Sequence, residues 1–321
     1  MALALLVIIS LLAGCSSRET KGAEKLKANE SSAPKTFASP EAAGAALFDA
    51  AQAGNRDEIL AIFGSEGKEI LLSGDAVKDK NTREVFVTKY KEMHRWSKNR
   101  AGSEILYIGA DNLAVPVPLK QNAPSQWAFD IEAGKDEILA RRIGDGELTT
   151  IGVLTEVAGA QDEYFSAKHE YAQKFVSDDG QHNGLYWPAA EGERSSPLGP
   201  LGDVAKALGY THSDQPQPFA GYYYRLLTQQ GATAKGGAKD YKSGDKLTSG
   251  YAVLAYPAKY GNSGIMTFLV GTDGVVYQKD LGDKTAETAV AITEYNPGDG
   301  WTVVVAPEAN PIPGTKAARK K

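Results

Sequence analysis

Between Asp145 and Phe175 apolar residues return close to every 3.6 positions: Leu148, Ile151, Leu154, Val157, Ala158, then Ala160 to Phe165. That spacing predicts one long amphipathic helix. DDGQHNG, Asp178 to Gly184, ends the pattern, and beyond it the apolar pieces are short and separated by turn residues. They read as strands over Leu185-Tyr186-Trp187, Gly221 to Gln229, Tyr251 to Tyr256, Ile265 to Val270 and Val275 to Gln278. Thr272-Asp273-Gly274 is a hairpin turn in which Gly274 supplies the positive φ. SSPLGPLGDVAKALGY reads as a turn-rich loop. A long helix followed by a run of short strands is laid across an antiparallel sheet, so the expected fold class is α+β.

The region before the long helix has its own pattern. Ser39-Pro40-Glu41 starts a helix with a capping serine and a proline at the first position. Ala42, Ala43, Ala46, Leu47 and Ala50 form its apolar stripe, and Gly54 ends it. A second helix runs from Arg56 to Phe63 and stops at Gly64. A third covers about Lys80 to Met93, with Val85, Phe86 and Tyr90 facing inward. Strand-like pieces follow at Glu104 to Ile108, Leu113 to Leu119 and Gln126 to Ile131. This order suggests a small α+β domain resembling a cystatin-like or NTF2-like cone over residues 39–135, ahead of a second α+β domain over 136–305.

The two ends differ from this. Met1 to Ala13 is almost wholly apolar, too short for a comfortable bilayer span of about 20 residues and closer to the core of an export signal. It lacks the basic residues such a signal ordinarily carries, which an upstream start would supply. Leu12-Ala13-Gly14-Cys15 resembles the bacterial lipoprotein signal, in which the cysteine is lipidated and becomes the new amino terminus. The resemblance implies a signal peptide over 1–14, lipid attachment at Cys15, and a Lys/Glu/Ser-rich tether over 15–38. Ser16 stands where an aspartate would retain such a protein at the inner membrane, so the implied address is the periplasmic face of an outer membrane. Residues 306–321, ending in a basic cluster, read as a disordered tail.

Composition removes several function classes. The 321 residues carry a net charge of −5 with acidic and basic side chains interspersed, which gives nucleic acid no basic stripe to bind. One cysteine cannot form an intrachain disulfide, and with four histidines there is no Cys/His metal cluster. His94, His169, His182 and His212 form no motif. Asp178, Asp179 and His182 offer oxygen and nitrogen ligands in a glycine-bounded loop, against the commoner reading of a solvated turn. No G-x-S-x-G elbow, phosphate loop or HExxH is present, and no cofactor is expected. Glu132, Asp136 and Glu137 sit beside Arg141 and Arg142, which suggests ion pairing rather than two carboxylates across a cleft.

EVAGAQDEYFSAKHEYAQKF and GLYWP, then FAGYYYRLLT and SGYAVLAYPAKYGNSGIMTFLVGTDGVVYQKDLG, identify the chain as resembling the DUF2950 family of bacterial envelope proteins, from about Phe37 to Trp301. That family has no established activity, so the resemblance carries over no catalytic residue. The carboxy-terminal order also resembles the globular part of type IV pilins and type II secretion pseudopilins. The matching pieces are Ala160-Gln161 to Tyr171, Gly184-Leu185-Tyr186, Gly221 to Leu226, Tyr251 to Pro257 and Ser263 to Val276. A lipoprotein-type signal and a polar tether replace the exposed apolar helix that pilin assembly uses, so the resemblance implies a pilin-type fold without pilin assembly.

Aromatic density is the remaining signal. Trp187, Tyr222, Tyr223, Tyr224, Tyr251, Tyr256 and Tyr260 fall on strands or strand ends of the second half. Alternation puts Tyr223 opposite Tyr222 and Tyr224. These rings, with Arg225 as a polar anchor, either form an exposed recognition surface or pack beneath the long loops. The expected function is therefore a lipid-anchored envelope protein that works by binding an envelope or secretion protein. The alternatives are a cell-envelope glycan hydrolase and a small-ligand-binding protein using a pocket in the first domain or at the domain interface.

Overall fold

The computed structural model describes residues 33–189, 192, 195–211 and 215–305. The expectations for the signal, Cys15, most of the tether, His212 and the tail lie outside the described residues. Ser39 caps the first helix, α1 (Pro40–Gln52), its Oγ accepting from the Ala42 amide at 3.2 Å, and Asn55 does the same for α2 (Arg56–Phe63). Both helices match the sequence reading. A short α3 (Gly67–Leu71) was not legible, and α4 (Ala76–Glu92) begins earlier than Lys80 because Asp75 supplies its cap. Val85, expected inside, is 52% exposed, while Tyr90 is buried.

An antiparallel sheet follows: β1 (His94–Lys98), β2 (Glu104–Ile108), β3 (Leu113–Ala114), β4 (Leu119–Ala123) and β5 (Gln126–Phe129). Its order is β1-β2-β4-β5, with β3 also beside β2. Strand β1 (HRWSK) escaped the sequence reading because only Trp96 is apolar in it, an edge-strand composition. The helices bury Ala43, Leu47, Ile62 and Phe63 with Leu119, Phe129 and Ile131 in one core, beside a smaller cluster of Tyr90, Leu106 and Ile108.

Helix α5 (Ile131–Lys168) is 38 residues long and starts fourteen positions before Asp145, so the boundary drawn at residue 135 falls inside it. Its first turns escaped the sequence reading because half of the residues from Ile131 to Arg142 are charged and the apolar ones are few. Glu137 pairs with Arg141 at 2.6 Å, as expected, but Glu132 pairs with Lys135 at 3.5 Å and Arg142 turns to Asn262 instead of a carboxylate. The helix stops at His169, in the left-handed conformation, rather than at Phe175. There Gln161 turns its buried amide onto the departing chain, donating to the Ala172 carbonyl at 2.9 Å and accepting from the Ala172 amide at 2.8 Å. Tyr171 then pairs with Leu247, so the apolar residues past 169 serve the sheet, not the helix.

The second half adds α6 (Gly199–Ala207), β6 (Tyr222–Leu227), the short strands β7 (Gln229–Gln230), β8 (Lys239–Asp240), β9 (Lys242–Ser243) and β10 (Lys246–Leu247), then β11 (Ala252–Pro257), β12 (Met266–Gly271), β13 (Val276–Asp280), α7 (Thr285–Ala291) and β14 (Thr302–Val303). The main sheet is antiparallel in the order β14-β13-β12-β11-β6. Helix α5 lies on the face that carries Tyr224, whose hydroxyl meets Thr150 Oγ1 at 3.1 Å. Helix α7 covers the other face through Arg225. With both sides covered, β11 is buried at every position except Tyr256, which is half-buried.

Polar contacts tie the two halves together. Asp75 is 1% exposed, and its Oδ1 accepts the Val77 and Lys78 amides that begin α4. Its Oδ2 accepts the Tyr210 hydroxyl at 2.8 Å and the Gly221 amide at 3.0 Å. Arg142 donates to Asn262 Oδ1 at 2.6 Å, and Asn262 Nδ2 donates to the Glu69 carbonyl at 2.6 Å. Lys78 pairs with Asp145 at 2.8 Å.

Two glycines of α5 separate packing from propensity. A Cβ on Gly134 would lie 2.6 Å from the Pro116 carbonyl and 2.9 Å from Val117 Cα, whereas one on Gly159 meets nothing within 4 Å. Gly134→Ala is expected to destabilise by about 1–3 kcal/mol, and Gly159→Ala to stabilise by about 0.5–1 kcal/mol. Urea midpoints that move the same way for both would refute this placement of the helix. Asp75→Ala removes a cap and strands two buried donors, an expected loss of about 2–4 kcal/mol. Asp75→Asn, which keeps an acceptor, should lose less in the same unfolding measurement.

Candidate functional site

The structure separates the residues that sequence grouped as one aromatic surface. Tyr222 is fully buried, its hydroxyl donating to the Met266 carbonyl at 3.1 Å and its ring 5.8 Å from Phe268. It belongs to the core and not to a surface, because α5 covers its side of the sheet. Tyr224 points the same way, and burial raises the pKa of both phenols. Tyr223 faces oppositely, as alternation requires, and its half-buried ring lies 5.5 Å from that of Tyr256 at a tilt of 33°.

Arg225 is not a free anchor. Its guanidinium donates to the carbonyls of Ala289 at 2.8 Å, Val290 at 3.1 Å and Ile292, closing the carboxy-terminal end of α7. A cation there completes the orphan carbonyls and meets the negative end of the helix dipole. Its sequence signal was hidden, since the seven residues TAETAVA carry too little periodicity to announce a helix.

Trp187 and His182, singled out for different reasons, do meet. Their rings stack at 4.3 Å with an interplanar angle of 19°. They form one side of a groove of about 310 Å³ whose other side is the last two turns of α5, Glu163, Tyr164, Ala167 and Lys168. Pro197 completes it. The Tyr164 hydroxyl donates to the His182 carbonyl at 3.4 Å, fixing the loop against the helix. Trp187 Nε1 is buried and has no hydrogen-bond partner. Residues 163, 164, 167 and 168 follow helical spacing, so one face of the predicted helix was the signal that could have found them.

The cation reading of the same loop finds its ligands engaged elsewhere. Lys174 Nζ contacts both oxygens of Asp178, at 2.7 and 2.6 Å, and Asn183 Nδ2 donates to Oδ2 at 2.7 Å. Asp179 is exposed, and His182 is stacked on Trp187. Among the described residues no three His, Cys, Asp or Glu side chains converge to hold a metal. His94 stacks on Tyr90 at 4.0 Å, and His169 ends α5, so neither joins the groove. No described helix is long and apolar enough to cross a membrane.

The buried phenols generate a pH prediction. Burial pushes Tyr241 up to about 12, with Asp273 adding to it, and burial also leads the upward shifts of Tyr210, Tyr222, Tyr224, Tyr251 and Tyr295. A phenol raised in the folded state keeps its proton while the unfolded chain ionises at the ordinary value of 10.0. Stability is therefore at full strength below pH 10 and falls as pH rises past it. In an alkaline titration the exposed tyrosines should ionise first, and the buried ones in one cooperative step that coincides with loss of near-ultraviolet dichroism. Gradual ionisation of every tyrosine with the dichroism intact would overturn the assignment.

No curated protein and no solved structure matches the chain. One family model does, described as a protein of unknown function (DUF2950), over residues 34–304. The match takes in both sheets, all of α5 and the groove beside its end, and the chain belongs to the DUF2950 family.

Proposed function

We propose that the chain is a lipid-anchored envelope protein that acts by binding a partner protein, with the groove beside the end of α5 as its contact surface. The observation that carries the binding reading is the His182–Trp187 ring stack that lines that groove. Aromatic rings that line a groove are among the groups on which interfaces concentrate their energy. Leu12 to Cys15 supports the anchor, and Ser16 supports the outer membrane as its address. The long helix laid on an antiparallel sheet supports the pilin-like reading of the second half, used for recognition and not for polymerisation.

Two measurements test the two parts. Cells fed an alkyne fatty acid should label the native protein and not Cys15→Ala, and equal labelling of both would remove the anchor. A photo-crosslinking residue at Ala167, exposed on the groove wall, should yield one reproducible adduct with an envelope protein. Trp187→Ala should weaken that adduct at least tenfold. An adduct indifferent to Trp187, or none in intact cells, would remove the groove from the reading.

A further inference from the structure

Helix α5 changes partners over residues 141–147. Ile138 is its last side chain packed on the first core, and Arg141 still donates to the Ala114 carbonyl at 3.0 Å. Arg142 already donates to Asn262 in the second half, and Glu147 Oε1 accepts the Ile265 and Met266 amides at 2.9 and 3.0 Å. Gly144 lies at the centre of this change. A Cβ there would meet nothing within 4 Å, so no packing calls for a glycine, whereas one on Gly146 would lie 2.6 Å from the Ser263 carbonyl. Glycine loses more backbone freedom in a helix than any other residue, so an unpacked one is where the helix is weakest.

What fixes the two halves in one orientation is polar. Among the described residues every buried apolar cluster draws on one half alone, up to residue 138 in the first and from 151 onward in the second. The links between them are hydrogen bonds and one ion pair. Asp75 Oδ2 accepts the Tyr210 hydroxyl and the Gly221 amide, and Lys78 Nζ donates to the Ala220 carbonyl at 3.5 Å. Asn81 Nδ2 donates to the Leu208 carbonyl at 2.9 Å, and Glu69 takes Asn262 on its carbonyl and Lys259 on its carboxylate. Ala220, held between these contacts, sits at φ 54°, in the left-handed region that residues other than glycine seldom adopt. A polar interface without a shared core permits relative motion of the bodies it joins.

We propose that α5 carries a swivel at Gly144 and that Asp75 is the latch that closes it. The structure is the latched state, in which α5 runs unbroken from Ile131 to Lys168. In the unlatched state the helical hydrogen bonds across Gly144 open, and the first half turns about the axis of α5 relative to the second. Each core stays whole, because neither lends a side chain to the other. The turn uncovers the Asp75 carboxylate, the Tyr210 hydroxyl and the Gly221 amide, and release of the Ala220 backbone offsets part of the hydrogen bonding that is lost. The swivel is independent of the groove and of the anchor.

Amide hydrogen exchange on the full chain reads the swivel in the native protein. The amides of residues 144–148 should exchange about tenfold faster than those of α5 on either side. Gly144→Ala should slow them about fivefold. Protection that is uniform along α5, or a weak point indifferent to Gly144→Ala, overturns the proposal. Spin labels at Lys98 and Lys242, exposed and in different halves, read the motion in a full chain carrying Cys15→Ser. With Asp75 in place they should give one narrow distance. Asp75→Asn keeps the Oδ1 cap of α4 but sets an NH2 group against the Gly221 amide, so a second distance should appear. Adding Gly144→Ala should cut the population of that second distance about fivefold. A single distance in Asp75→Asn, or a second one that Gly144→Ala leaves alone, also sinks the swivel. Should Asp75→Asn lose its near-ultraviolet dichroism, the exchange profile of the native chain decides.

Discussion

Helix α5 is the constraint on which the remaining structure depends. At 38 residues it is about 57 Å long, more than either core alone requires. Ile131 is buried with Leu119 and Phe129, while Val153, Leu154 and Val157 are buried with the strands of the second sheet. A single rigid element with each end in a different core sets how far apart the cores lie, and the remaining freedom is rotation about its axis. Asp75 and the Glu69–Asn262–Arg142 chain oppose that rotation, since each spans the halves away from the axis. Buried charge tolerates this position because four hydrogen bonds compensate the Asp75 carboxylate.

The same helix explains which parts of the fold were legible in the sequence. Where α5 packs on the sheet its apolar residues recur at helical spacing, and the pattern could be read. Where it leaves the sheet, from Glu132 to Arg142, it packs on the first core through Gly134 and Ile138 only, with charged residues between them, so the apolar stripe is too sparse to read. The capped helices α1 and α2 were readable because Ser39, Gly54 and Gly64 are local signals. Strand β1 and helix α7 were not, since one is a polar edge and the other seven residues of small side chains, each held by partners distant in sequence.

Alternation along β6 correctly separated Tyr223 from Tyr222 and Tyr224, yet it could not say which faces are covered. That depends on α7, and α7 is held by Arg225 from the strand itself. The residue that looked like a surface anchor is thus what closes the surface. A tyrosine-rich strand between two helical layers is a core strand whose hydroxyls are satisfied internally, by Met266 for Tyr222 and Thr150 for Tyr224.

The groove shows the complementary case, in which sequence named the residues and not their meeting. His182 was noticed as a metal ligand and Trp187 as an aromatic, five positions apart across a turn. What brings them together is the return of the chain against α5, where Leu185 donates to the Lys174 carbonyl and Leu198 to the Leu185 carbonyl. This arrangement leaves the Trp187 indole without an acceptor, which costs the folded state about 1–3 kcal/mol. Arg225 Nε and Trp96 Nε1 are unpaired as well, but each sits within a core where its ring or guanidinium already packs or bonds. Trp187 differs in that its ring lines an open groove with His182 while its Nε1 is closed off from water, so whatever enters the groove meets ring carbon and not the indole donor.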